Sequence, residues 1–93
     1  MAALPDVLTA PRRFELHRDL DVSGVSGTGI VAIGAQFPDP ADVVFPDGLV
    51  LALPAGWCRI TWLTEHRSTV LWSSVADAIA VHGHGGATRI VWV

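Results

Sequence analysis

The stretch "AVHGHGGATRIVWV" places His82 and His84 two residues apart, a spacing at which two imidazoles on an extended loop can share a metal ion. Zinc needs three or four such ligands. The other candidates, His17 and His66, lie on separate strands or loops, and there is neither a CxxC pair nor an HExxH helix. A helix end accounts for the histidines without a metal. An imidazole in the last turn meets the negative end of the helix dipole and can cap free carbonyls. His82-Gly83-His84 is therefore expected to mark a change of chain direction, with no metal and no cofactor.

Two further stretches imitate binding loops and fail at the residue that matters most. "DLDVSG" sets Asp19, Asp21, Ser23 and Gly24 as a calcium loop would. Such a loop needs a bidentate glutamate at its twelfth position, which here is Ile30. "GVSGTG" spaces Gly24, Gly27 and Gly29 like a phosphate loop, but that motif requires Gly-Lys-Ser/Thr opening a helix. The chain has no lysine, and a β-rich run follows. Both stretches read as parts of one polar loop able to touch a partner. Nucleophilic catalysis needs a serine or cysteine beside a base that a third group orients. No serine sits in a G-x-S-x-G elbow, and Cys58 alternates with apolar residues, which predicts a buried thiol. An enzyme is not expected.

The elements that would position these residues are mostly strands. "RFELHR" (13–18) alternates Phe14 and Leu16 against Arg13, Glu15 and His17, the period of a half-buried strand. "TGIVAIGAQF" (28–37) is β-rich, with Gly34 expected at a bulge or sharp bend. "FPDG" (45–48) has the composition of a tight turn, and "LVLAL" (49–53) follows as a strand ended by Pro54-Ala55-Gly56. In "WCRITWL", Cys58, Ile60 and Trp62 share a face opposite Arg59 and Thr61. "STVLW" (68–72) and "TRIVWV" (88–93) complete the strands. One helix of about two turns interrupts them: Ser74 stands at the N-cap, Asp77 in the first turn, and Val75, Ala78, Ile79 and His82 on one face. Gly83 is expected as its left-handed terminator.

Five to six short strands with one short helix before the last strand predict a mainly β fold, a small SH3-like barrel. A sheet this apolar needs closure or a partner to hide its edges. An open α+β roll is the alternative. Ninety-three residues make a single domain, with residues 1–11 as a loosely packed N-terminal arm. Hydrophobic residues make up 51% and charged ones 16%, too apolar for disorder and apolar enough to leave a surface patch over for a partner. No run approaches the ~20 apolar residues of a membrane span, and the first residues lack the basic-then-apolar order of a signal peptide. A lone cysteine suits a reducing compartment, so a cytoplasmic setting, bacterial host or virion-associated, is expected. Net charge is −3, with six arginines scattered along the chain; nucleic-acid affinity rests on neutralised phosphates, so nucleic acid is an unlikely partner.

"HRDLDVSGVSGTGIVAIGAQFPD", "STVLWSS" and "VHGHGGATRIVW" together resemble a family of short proteins without assigned activity from actinobacteria and their bacteriophages. The resemblance covers about residues 14–93. It implies an actinobacterial or phage origin and an accessory role, and brings no functional residues with it. Members of that family pass from one F-x-D-G turn straight into the next strand. Here "FPD" occurs twice, at Phe37-Pro38-Asp39 and Phe45-Pro46-Asp47, and "GLVLALPAGW" is added, like an enlarged hairpin.

The functional expectation is a non-enzymatic binding module acting by protein–protein contact or self-association. Its contact surface would combine the 19–29 loop with the 38–57 hairpin, through Asp19, Asp21, Ser23, Ser26, Trp57, His66 and His84. Single-stranded nucleic-acid binding through an arginine and tryptophan face is the first alternative. A small metal-dependent hydrolase using the HGH loop is the second.

Overall fold

The computed structural model describes residues 10–19 and 28–93. In chain order they form β1 (Arg12–Arg18), β2 (Gly29–Gln36), β3 (Ala41–Val44), β4 (Val50–Leu53), β5 (Cys58–Trp62), β6 (Thr69–Trp72), α1 (Val75–His82), a short 3-10 turn (His84–Gly86) and β7 (Thr88–Trp92). Five strands make one antiparallel sheet in the order β6-β5-β2-β1-β7, and β3 and β4 make a separate two-stranded ribbon.

The alternation read from the sequence sorts the sheet into two faces. Cross-strand partners share a face, so the register puts Phe14, Gly34, Ile60 and Trp92 on one side, with Leu16, Ala32, Trp62 and Ile90 in the next row. Helix α1 covers this side. Phe14, Leu16, Val31, Ala32, Cys58, Ile60, Trp62 and Ala78 form the core, with Trp72, Val75, Ile79, Ile90 and Trp92 packed around it. Arg18 is buried at the margin of this side, and its Nε donates to Thr88 Oγ1 at 2.8 Å. Among the described residues, no helix lies on the other side.

The sheet does not close into a barrel. Its edges are β6 and β7, which do not pair, and α1 runs from one edge to the other across the covered face. A chain that spends its connection between the last two strands on a covering helix seals one face rather than the seam. The mainly β expectation holds; the SH3-like closure is corrected, and the open alternative is the nearer description.

Two glycines serve a different purpose from the one expected. Gly34 is not a bulge: a Cβ there would lie 2.4 Å from Phe14 Cζ and 2.7 Å from the Arg59 carbonyl oxygen. Its missing side chain is the seat of the Phe14 ring. The irregularity falls instead between Leu16 and His17, opposite Val31, which lets Val31 and Ala32 both be buried. Gly83 is right-handed, with φ −70°, not the left-handed terminator expected. Its N–H continues the helix to the Ile79 carbonyl, and a Cβ would come within 2.5 Å of that oxygen. The left-handed residues are Gly85 and Gly86, which turn the chain into β7. The N-cap is as read: Asp77 N–H donates to Ser74 Oγ at 3.0 Å.

The enlarged hairpin grows from the middle of the sheet. The β2–β5 ladder continues one step, through Phe37 N–H to the Trp57 carbonyl and Gly56 N–H to the Phe37 carbonyl. The chain then bends through Pro38-Asp39-Pro40 and resumes as the β3–β4 ribbon. The strand β3, "ADVV", has no counterpart in the sequence reading. The Phe45–Gly48 turn closes the ribbon, with Gly48 left-handed and Asp47 Oδ1 accepting from Leu49 N–H.

Candidate functional site

The uncovered face of the sheet carries a paired row of arginines. Arg13, Ala35 and Arg59 stand side by side across β1, β2 and β5, so the two arginines bracket a small residue, their Cα atoms two strand spacings, ~10 Å, apart. The next row is Val91, Glu15, Ile33 and Thr61. Arg13, Glu15, Ile33, Ala35, Arg59, Thr61 and Val93 line a shallow cleft of about 290 Å³.

Charge on this face is partly internally matched. Glu15 Oε1 lies 2.9 Å from His17 Nε2, and Asp19 Oδ2 lies 3.3 Å from Arg89 Nε. Among the described residues, neither Arg13 nor Arg59 has an ionic or hydrogen-bonding side-chain partner. Between and beside them the surface is apolar: Ile33 is 47% and Val93 65% exposed, and Leu71 lies next to Arg59. Antiparallel sheets can face water on one side, but then that side is normally polar along its length.

The second uncovered feature is the ribbon. One of its faces, Ala41, Val43, Phe45, Leu49, Leu51 and Leu53, is wholly apolar and is sheltered toward its base, where Leu53 is buried. The opposite face, Asp42, Val44, Val50 and Ala52, is exposed throughout, with Val44 at 67% and Val50 at 51%. An isolated two-stranded ribbon is marginal in water. Here its root is fixed by Phe37 and Trp57, stacked at 4.3 Å, and by Trp57 Nε1 donating to the Asp39 carbonyl at 2.9 Å.

Of the residues expected to form one contact surface, the described ones are divided between opposite ends of the sheet. Asp19 follows β1 at the end where His66, in the β5–β6 turn, and the 3-10 turn containing His84 also lie. Trp57 lies at the other end, an eight-residue strand away, roughly 25 Å. Trp57 is half-buried against its own chain rather than displayed. Asp19 is exposed and tied to Arg89, and His66 is exposed, its carbonyl accepting from Thr64 Oγ1. Asp21, Ser23 and Ser26, like arm residues 1–9, lie outside the described residues, and so does the side chain of His84. Among the described residues, Asp19 and His66 thus lie at one end of the sheet and Trp57 at the other. The arginine pair was missed because residues 46 positions apart become neighbours only through register. The signal was present in Arg13 and Arg59 each sitting on the polar side of its strand.

The chemical groups of the HGH and cysteine readings have structural surroundings. His82 packs between Trp62 (4.6 Å) and Trp72 (5.4 Å). Among the described residues, no three of His, Cys, Asp and Glu meet as a metal site would require. Cys58 is fully buried, and burial, aided by the nearby Asp77 charge, pushes its thiol up to about 11; little thiolate is present at neutral pH. Trp62, Trp72 and Trp92 belong to the covered face, whereas Trp57, paired with Phe37 two residues beyond Arg59 and Ala35, falls on the side of the arginines at the far end of β5, stacked on Phe37. Arg12 lies over the Trp92 ring at 4.2 Å.

Fold and surface together define a small, mainly β protein with one sealed face, one open face bearing an arginine pair, and an apolar arm. The Acb5 phage protein family model matches residues 11–46 and 41–93. The chain belongs to that family and is a phage-associated small protein. The two matched pieces meet within the β3–β4 ribbon, where the chain departs from a simple turn. No curated protein and no solved structure matches the chain. No helix among the described residues is long and apolar enough to cross a membrane.

Proposed function

We propose that this phage protein is an accessory binding module that works by protein–protein contact, without catalysis, in an actinobacterial host cell. The exposed β3–β4 arm carries this reading. Val44, Phe45, Leu49, Val50 and Leu51 stand between about two-fifths and two-thirds exposed on a ribbon that projects beyond the sheet. Large apolar side chains exposed in such number on both faces of one ribbon mark a contact site. The membership of a phage family supports an accessory role, and the lone reduced Cys58 suits the host cytoplasm or a virion assembled there.

The test compares the full chain with a Leu51→Asp, Val44→Asp variant as baits in phage-infected host lysate, each also measured by sedimentation. Loss of a specific partner, or of self-association, in the variant supports the reading. A wild-type chain that recovers nothing and sediments as a monomer sinks it. Nucleic-acid binding has less support, since Trp62, Trp72 and Trp92 belong to the covered face and Trp57 is half-buried against Phe37. Oligonucleotide quenching of tryptophan fluorescence that weakens with salt would favour that alternative instead.

A further inference from the structure

The exposed ribbon face and the open sheet face are complementary in charge and character. Between Asp19 and Arg59 the sequence contains no cation, and the ribbon and its root carry Asp39, Asp42 and Asp47, all exposed. The ribbon's free face sets one aspartate, Asp42, beside Val44, Val50 and Ala52. The sheet's open face sets two guanidiniums without ionic partners among the described residues, Arg13 and Arg59, beside Ile33, Ala35 and Val93. An anionic group flanked by valines on one surface thus faces a cationic bracket flanked by aliphatics on the other. Neither surface is covered within the described chain.

We propose that the occupant of the open face is the ribbon of a second copy of this chain. The contact is reciprocal, Asp42 of each copy entering between Arg13 and Arg59 of the other. This deepens the protein-contact reading by naming the partner as the chain itself. A one-way contact between two complementary patches would propagate into an open filament; reciprocity closes it as a two-fold dimer. The area is sufficient. The apolar part, Val44, Val50 and Ala52 with Ile33, Leu71 and Val93, comes to on the order of 500 Å² per copy, so that two contacts with their arginine and aspartate stems reach roughly 1,200–1,500 Å², the size of a specific interface. The charged pairs set register and partner choice more than affinity. The valines and Ile33 supply the dehydrated centre.

The experiment is sedimentation velocity and light scattering on the full chain from low to high micromolar concentration, at low and high salt. The wild type is expected to dimerise, more weakly as salt rises. Asp42→Arg is expected to weaken the dimer by about tenfold or more, as is the double change Arg13→Asp with Arg59→Asp. Combining all three changes restores dimerisation, because the charges are exchanged rather than removed. All three positions are exposed, and unchanged circular dichroism and melting show that the variants fold. A wild type monomeric throughout the range overturns the proposal while leaving a different protein partner possible for the same arm. A dimer indifferent to Asp42→Arg and to the arginine changes overturns it as well, since another surface would then hold the copies together. A dimer lost in both sets but unrescued in the combination also counts against it.

Discussion

The two faces of the five-stranded sheet come from the same strands and the same alternation, yet one is a core and the other a surface in search of cover. Along β1, Phe14 and Leu16 are buried, while Arg13, Glu15 and His17 between them stay wet. Along β2 the contrast is sharper, because both sides are apolar: Ala32 is buried and Ile33, its neighbour, is 47% exposed. The eight-residue helix accounts for the difference. It has enough area to seal one side of a sheet, and the described residues offer no second helix for the other. Hydrophobicity in a strand therefore marks a side that can be buried, and the described residues bury only one of the two sides of this sheet.

The hardest way to break the contrast is to hollow the sealed face. Phe14 is 1% exposed, sits in the space left by Gly34 and meets Trp92 edge-on at 5.4 Å. Phe14→Ala is expected to cost about 3–5 kcal/mol in urea unfolding, the range for a buried aromatic that leaves a cavity. A loss below about 1 kcal/mol would mean that the helix-covered side is not the core.

Cys58 probes the same side through pH. Its thiol stands at about 11 in the folded protein against an ordinary value of 9.0, raised by burial and then by Asp77. The unfolded chain therefore gives up this proton first. The stability tied to the neutral thiol is fully present below pH 9 and is lost as pH rises from there through 11, amounting to roughly 2–3 kcal/mol by the linkage relation. Stability measured from pH 8 to 11 should fall more steeply in the wild type than in Cys58→Ala. Parallel curves would place the thiol in contact with solvent.

Much of this division was legible in the sequence, and what was not had physical reasons. The faces of β1 and β5 follow from alternation, and the start of α1 from Ser74 and Asp77, because each depends on residues a few positions apart. Closure does not. Whether β6 and β7 meet depends on where the intervening helix lies, and no local pattern carries that. The glycines at 34 and 83 were read for backbone freedom, whereas both serve close approach, to Phe14 and to the Ile79 carbonyl; sequence does not separate these two uses. The strand β3 went unread because Pro40 and Pro46 hem in four residues that include Asp42. The expected contact residues were chosen from loops, while the register-built pair Arg13 and Arg59 lies on strands and required the pairing of both with Ala35 to come into view.

The helix that makes the two faces unequal is itself short and depends on its cap. Asp77 N–H has Ser74 Oγ as acceptor at 3.0 Å, so Ser74→Ala should lower stability by about 1 kcal/mol. Ser74→Asp should restore most of it, since a carboxylate there accepts the same bond and meets the positive end of the dipole. Equal losses in both variants would show that the hydroxyl acts through packing rather than capping.

The smallest expected change in stability is the one that most sharpens the contrast. Ile33 shares its strand with Ala32 and points to the opposite side, beside Arg13 and Arg59. Replacing it with threonine keeps a β-branched residue in a strand and removes apolar area only from the open face, so unfolding of the monomer should shift by less than about 0.5 kcal/mol. The same change removes part of the apolar floor on which the ribbon of a second copy would rest. Ile33→Thr should therefore leave dilute-solution stability almost untouched while weakening association at micromolar concentration. If it instead destabilises the dilute monomer as a core substitution would, the open face is already covered by the chain's own residues. The inequality between the two sides would then vanish.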